Sequence, residues 1–128
     1  MKNVLLIDDD PDEAMFFSQA LSELNLSTNF RYVGNGVETV PKLLVDDGYS
    51  PDVIFLDINM PIVNGWECLR NLKSFAEYRR IPIVMYSSED IENEGMAALD
   101  VGAAAFMTKP TTYSELKSRL SSLIPTLF

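Results

Sequence analysis

Six residues in this chain carry groups whose types and positions could do chemistry together. Asp8, Asp9 and Asp10 follow the apolar run Val4 to Ile7, and Asp57 closes the run Val53-Ile54-Phe55-Leu56. Ser87 ends a third apolar run, and Lys109 follows a fourth. A charge at the end of a strand that apolar is costly unless it faces water, a cation or a partner. Carboxylates gathered there would repel one another by roughly 4 kcal/mol per pair at about 4 Å and an effective dielectric near 20. One hard divalent cation and one ammonium would neutralise three of them, and oxygen ligands suit Mg²⁺ or Mn²⁺. In such a site a carboxylate can attack phosphorus to give an aspartyl phosphate. Metal and lysine would offset charge on the transferring group, and the Ser87 hydroxyl would donate to one of its oxygens.

These residues work together only if the fold brings them together. Short apolar runs alternate with helix-like stretches, the signature of a parallel α/β sheet. The strands are predicted at Val4–Ile7, Asn29–Val33, Val53–Leu56, Ile81–Tyr86 and Ala103–Met107, the second at an edge. Pro11 opens the first helix, with Asp12 and Glu13 at the positive end of its dipole and Ala14, Phe17, Leu21 and Leu24 as its buried stripe. A second helix around Val40 is interrupted or started by Pro41, and Trp66, Leu69 and Leu72 mark a short third. The acidic stretch Asp90 to Asp100 is a loosely held fourth, and Gly102 is its left-handed cap. Thr112 and Glu115 form a capping box before a fifth helix striped by Tyr113, Leu116, Leu120 and Leu123. Five β-α units make the fold class α/β, and the arrangement expected for them is a flavodoxin-like (βα)5 doubly wound parallel sheet, taken in the order 2-1-3-4-5. In it the carboxyl ends of all strands share one edge, with Asp57 at the centre.

Composition narrows the functions. The 128 residues suit a single domain, and 47% hydrophobic residues suit a globular core. A net charge of -9 argues against nucleic-acid or anionic-membrane partners. No apolar run approaches the length of a membrane span, and the N-terminal run ends in aspartates, unlike a signal peptide. One cysteine, Cys68, excludes an internal disulfide and fits a reducing cytoplasm. The absence of histidine removes Ser-His-Asp catalysis, histidine zinc sites and phosphohistidine on this chain.

Each residue also has a plainer role. Asp10 reads as a helix N-cap, which needs only one of the three aspartates. Asp57 could form a turn before Asn59 and Pro61, Ser87 could simply end a strand, and Lys109 could be a solvated surface lysine. Four such groups, each at the end of a different predicted strand, make the joint plain reading the weaker one. Phe106, Trp66, Cys68 and the methionines read as packing residues.

Four motifs in order, "LLIDDDPDE" (5–13), "PDVIFLDINMPIVNGWE" (51–67), "PIVMYSSED" (82–90) and "GAAAFMTKP" (102–110), resemble the receiver domain of bacterial two-component response regulators. The resemblance runs from Asn3 to Leu123. It implies Asp57 as phosphoacceptor. It also implies a Mg²⁺ (or Mn²⁺) site from Asp8, Asp9, Asp57 and the Asn59 backbone carbonyl, with Asp9 the more direct of the acidic pair. Ser87 and Lys109 would contact the phosphoryl group, and Phe106 would be the aromatic switch, here without a hydroxyl. Asn59 and Glu89 would tune the phosphoryl lifetime, and Ser88 keeps the position after the switch serine small but polar. A cis bond at Lys109-Pro110 is a further implication, which X–Pro bonds adopt in a small minority.

The expected partners are a sensor histidine kinase or histidine phosphotransfer protein and an output protein, with the chain a monomer or a phosphorylation-dependent dimer in the cytoplasm. Signalling would pass through the face of the fourth helix, fifth strand and fifth helix, with no output domain after Phe128 and no catalysis beyond its own phosphorylation and dephosphorylation. Two alternatives come from other classes. One is a small haloacid-dehalogenase-type phosphatase using Asp8-x-Asp10, although Asp12 departs from its motif. The other is a binding module indifferent to phosphorylation.

Overall fold

The computed structural model describes residues 2–34, 50–57, 65–87 and 102–127. Their elements run β1 (Lys2–Ile7), α1 (Pro11–Leu24), β2 (Thr28–Val33), β3 (Val53–Asp57), α2 (Gly65–Ser74), β4 (Ile83–Ser87), β5 (Ala105–Thr108) and α3 (Tyr113–Leu123). All strand pairs are parallel, and the sheet order is β2-β1-β3-β4-β5, as expected.

Side-chain alternation along the strands divides the core in two. Leu5, Ile7, Ile54, Leu56, Ile83 and Met85 face one side with Leu69 and Leu72 of α2. Val4, Leu6, Phe55, Val84 and Tyr86 face the other, against Phe17 of α1 and Leu116 and Leu120 of α3. Every residue of β3 and β4 is buried, which is why both read as near-continuous apolar runs. Strand β2 alternates between exposed and partly buried positions up to buried Val33, as its edge place requires. Phe17 anchors the α1 side: its ring lies 4.9 Å from Phe55 edge-on, 5.6 Å from Phe30 and 6.0 Å from Tyr86.

The helix starts are chemically specified. Asp10 caps α1 by accepting the Asp12 N–H at 2.9 Å, and Thr112 caps α3 by accepting the Glu115 N–H at 3.1 Å. Gly102 adopts φ +103, a conformation L side chains rarely adopt. The segment it was expected to cap, the helix over Asp90–Asp100, lies outside the described residues. So do the helix around Pro41, Asn59, Ser88, Glu89 and the side chains of Trp66 and Cys68. Strand five begins at Ala105, two residues later than expected, and two further expectations need correction. Strand four begins at Ile83, after Pro82, because proline has no N–H for the ladder; its carbonyl still accepts the Ile54 N–H at 3.0 Å. Met15 is 57% exposed and not a packing residue, because it points away from the stripe that buries Ala14, Phe17 and Leu21. Among the described residues no helix is long and apolar enough to cross a membrane.

Candidate functional site

The carboxyl ends of β1, β3, β4 and β5 meet at one edge. Asp8 directly follows β1 and is fully buried, with its N–H bonded to the Val33 carbonyl at 3.1 Å. Asp57 is the last residue of central β3, 2% exposed, in register with Tyr86 of β4. Ser87 closes β4, also buried. Its carbonyl accepts the Lys109 N–H at 2.6 Å, which fixes the root of the lysine beside β4. Carboxylate oxygens of Asp8, Asp9 and Asp57 lie within 4.8 Å of one another, with Asp9 on the exposed side. A single cation could bridge that span, since hard dications hold oxygen ligands at about 2.0–2.6 Å. The donors are all oxygen, so the residues fit Mg²⁺ or Mn²⁺ better than a soft metal.

Lys109 lies across this cluster. Its Nζ is 3.2 Å from Asp8 Oδ2, 3.3 Å from Asp57 Oδ1 and 2.6 Å from Glu13 Oε2. The Tyr86 ring is beneath it, 5.2 Å from Nζ to the centroid. Burial disfavours the charged ammonium. The Glu13 hydrogen bond and the charges of Asp8, Asp57 and Glu13 outweigh that and hold its pKa well above the ordinary lysine value. Asp8 moves the opposite way for a carboxyl. Burial and a hydrogen bond shared with Glu13 push it up to about 7, against the Asp10 N–H and Lys109, which favour its ionised form. The cluster therefore holds more negative charge than one lysine neutralises, and a proton or a cation is favoured at Asp8.

Asp8, Asp9, Asp57 and Lys109, singled out in the sequence, are brought together here, and Ser87 is one strand away. Asp10 turns aside to cap α1. Phe106 of β5 is partly buried against the α2-side core. It lines a groove of about 420 Å³ with Arg119 and Leu123 of α3. No cis peptide bond occurs among the described residues, so Lys109–Pro110 is trans, correcting the cis expectation; X–Pro bonds favour trans by about 0.5–1 kcal/mol. Two site residues escaped the sequence reading. Glu13 looked like an ordinary acid in the first turn of a helix. Tyr86 looked like strand packing, although its place one residue before Ser87 puts its ring on the α1 side of the sheet. The signal for Glu13 was its position, N3 of a helix starting at the acidic strand end.

A doubly wound parallel sheet with buried carboxylates and a lysine at its central carboxyl edge defines a class of α/β domains that bind ligands there. The sequence matches the response regulator receiver domain family over residues 4–121, and the chain belongs to that family. The response regulator MprA of Mycobacterium avium is 31% identical over 121 residues, covering 94% of this chain and 50% of the relative. The chain thus spans about half the length of the curated relatives it matches. Among solved structures, the Vibrio cholerae chemotaxis protein CheY4 superposes with a TM-score of 0.79 at 25% identity, covering 96% of this chain and 98% of that one. The phosphorylated cyanobacterial phytochrome response regulator RcpA superposes with a TM-score of 0.83 at 25% identity, covering 95% of this chain and 90% of that one.

Proposed function

We propose that this receiver domain takes a phosphoryl group from a phosphohistidine onto Asp57 in a two-component phosphorelay. One observation carries the reading. Asp57 ends the central strand with the carboxylates of Asp8 and Asp9 within 4.8 Å and the Lys109 ammonium at 3.3 Å. An Asp57 oxygen forms the new O–P bond. The P–N bond of the donor breaks, and its electron pair stays on the imidazole nitrogen. Lys109 offsets negative charge on the transferring oxygens, and the Ser87 hydroxyl donates to one of them. Asp8, Asp9, Asp57 and the Asn59 carbonyl would hold the cation. When bound, Mg²⁺ supplies charge neutralisation for the carboxylates and the phosphoryl oxygens. Asn59 and Glu89, two residues beyond Asp57 and Ser87, would set the lifetime of the acyl phosphate by positioning water.

That a relative at 25% identity has been solved phosphorylated supports the same chemistry here. The acidic surface, net charge -9, suits protein partners in a cytoplasmic relay better than nucleic acid. Output would leave by a two-state change at β5 and α3, with Phe106 moving as Ser87 meets the phosphoryl group. The haloacid-dehalogenase alternative needs Asp10 for chemistry, and Asp10 is committed to the α1 cap.

A labelled phosphohistidine protein tests the proposal. Label should pass to this chain only with Mg²⁺ and should not pass to Asp57→Asn. Transfer without a divalent cation, or undiminished transfer to Asp57→Asn, would refute it.

A further inference from the structure

The Lys109 ammonium has three N–H bonds and three carboxylate neighbours, and the neighbours are not equivalent. Asp57 is the farthest, at 3.3 Å, and Glu13 the nearest, at 2.6 Å. Glu13 occupies N3 of α1, three residues past the N-cap Asp10. A glutamate there ordinarily reaches back to the N–H of the cap residue. In this chain that N–H is already taken: Asp10 N donates to Asp8 Oδ1 at 2.9 Å. Asp8 thus replaces Glu13 in the cap, and Glu13 is released toward Lys109. The lysine is restrained from its other sides as well. Its backbone N–H is tied to Ser87, its Nζ rests over the Tyr86 ring, and its side chain is 14% exposed.

We infer that Glu13 is a positioning residue for phosphoryl transfer, which with Asp8 fixes the rotation of the Lys109 ammonium so that its third N–H faces Asp57 and the oxygen of an incoming phosphoryl group. The inference rests on the proposed role of Asp57 as phosphoacceptor. Two anchors use two N–H bonds and hold the third in place before the donor arrives. The ammonium then need not reorient as the O–P bond forms, and that is preorganisation in its simplest form. Glu13 lies nearest Lys109, at 2.6 Å, and also shares a hydrogen bond with Asp8, so a cycle with Lys109 separates its action on the ammonium from any action through Asp8. Replacing Asp57 Oδ1 by a phosphoryl oxygen leaves both anchors intact, so Glu13 favours transfer without competing for the product.

The test is a double-mutant cycle on the rate of phosphorylation by a small phosphodonor with saturating Mg²⁺. The proteins are wild type, Glu13→Ala, Lys109→Ala and the double variant, with thermal melting to confirm folding. Glu13→Ala should slow transfer by roughly tenfold, the low end of what losing an orienting partner costs at a metal-assisted site. Glu13→Gln keeps an acceptor oxygen and should recover part of the rate. In the Lys109→Ala background, loss of Glu13 should cost far less, because only its hydrogen bond with Asp8 is then left to lose. The inference is overturned if Glu13→Ala phosphorylates at the wild-type rate or faster. It is equally overturned if Glu13→Ala slows transfer as much without Lys109 as with it. A wild-type protein that is not phosphorylated on Asp57 would instead defeat the parent reading, so the two failures are separable.

Discussion

Without a bound cation, Asp8 should make the folded chain less stable as the pH rises. Asp8 is fully buried, and its carboxyl is pushed from an ordinary 3.8 up to about 7, first by burial and then by the hydrogen bond shared with Glu13. In the folded state the neutral acid is favoured, so between these values the fold binds more protons than the unfolded chain. The stability penalty of ionisation is absent below an unfolded pKa near 3.8 and fully developed above about 7. At 1.36 kcal/mol per pH unit the full penalty is up to about 4 kcal/mol, of which more than half develops between pH 5 and 8. Asp8→Asn removes the ionisation and keeps an oxygen for the Asp10 N–H. Urea denaturation of both proteins with a chelator at about pH 5 and pH 8 isolates Asp8, because the repulsion from a net charge of -9 is nearly common to both. Wild type should lose about 2–3 kcal/mol more than Asp8→Asn across that interval, and saturating Mg²⁺ should remove most of the difference by favouring the ionised carboxylate. Equal pH slopes for the two proteins in chelator would refute the account of Asp8.

Other substitutions probe separate parts of the structure. Lys109→Met should destabilise the metal-free protein by about 3 kcal/mol, because Asp8, Asp57 and Glu13 lose their shared counter-charge, with Mg²⁺ recovering part of the loss in a thermal melt. The Lys109 pKa is raised by folding, so the ammonium is fully charged below its unfolded value of about 10.4 and its contribution is lost only as the pH rises beyond that, while the ionisation of Asp8 below it strengthens the pairing as the pH rises through about 7. Phe17→Ala removes a fully buried ring from between Phe30, Phe55 and Tyr86, and should cost about 3–5 kcal/mol in chemical denaturation. Thr112→Ala deletes the α3 cap and should cost about 1 kcal/mol, while Thr112→Ser should be close to neutral.

The strand identities were legible because apolar runs and helix signals agree, whereas the order 2-1-3-4-5 was an expectation for the doubly wound class that the strand pairing bears out. Both faces of β3 are covered, and Val53 to Leu56 reads as an uninterrupted buried strand for that reason. The convergence of Asp8, Asp57 and Lys109 was legible for a related cause: in a parallel sheet, each residue just past a strand falls on the same edge. Glu13 was not legible. Its role depends on which acceptor takes the N–H of Asp10, a competition settled by the geometry after β1 and not by residue type. The start of strand four was misplaced because Ile81 and Pro82 are apolar but precede the first ladder residue, Ile83. The exposure of Met15 was missed because hydrophobicity alone does not set a helical face; its neighbours Ala14 and Phe17 do.

The most direct measurement is the identity of the phosphorylated residue. The protein is incubated with a small phosphodonor and Mg²⁺, the acyl phosphate is trapped by reduction, and the modified side chain is located by peptide mass spectrometry. The account predicts one modification, on Asp57, absent from Asp57→Asn and from samples with chelator. Modification of Asp8 or of any hydroxyl in place of Asp57 would contradict it.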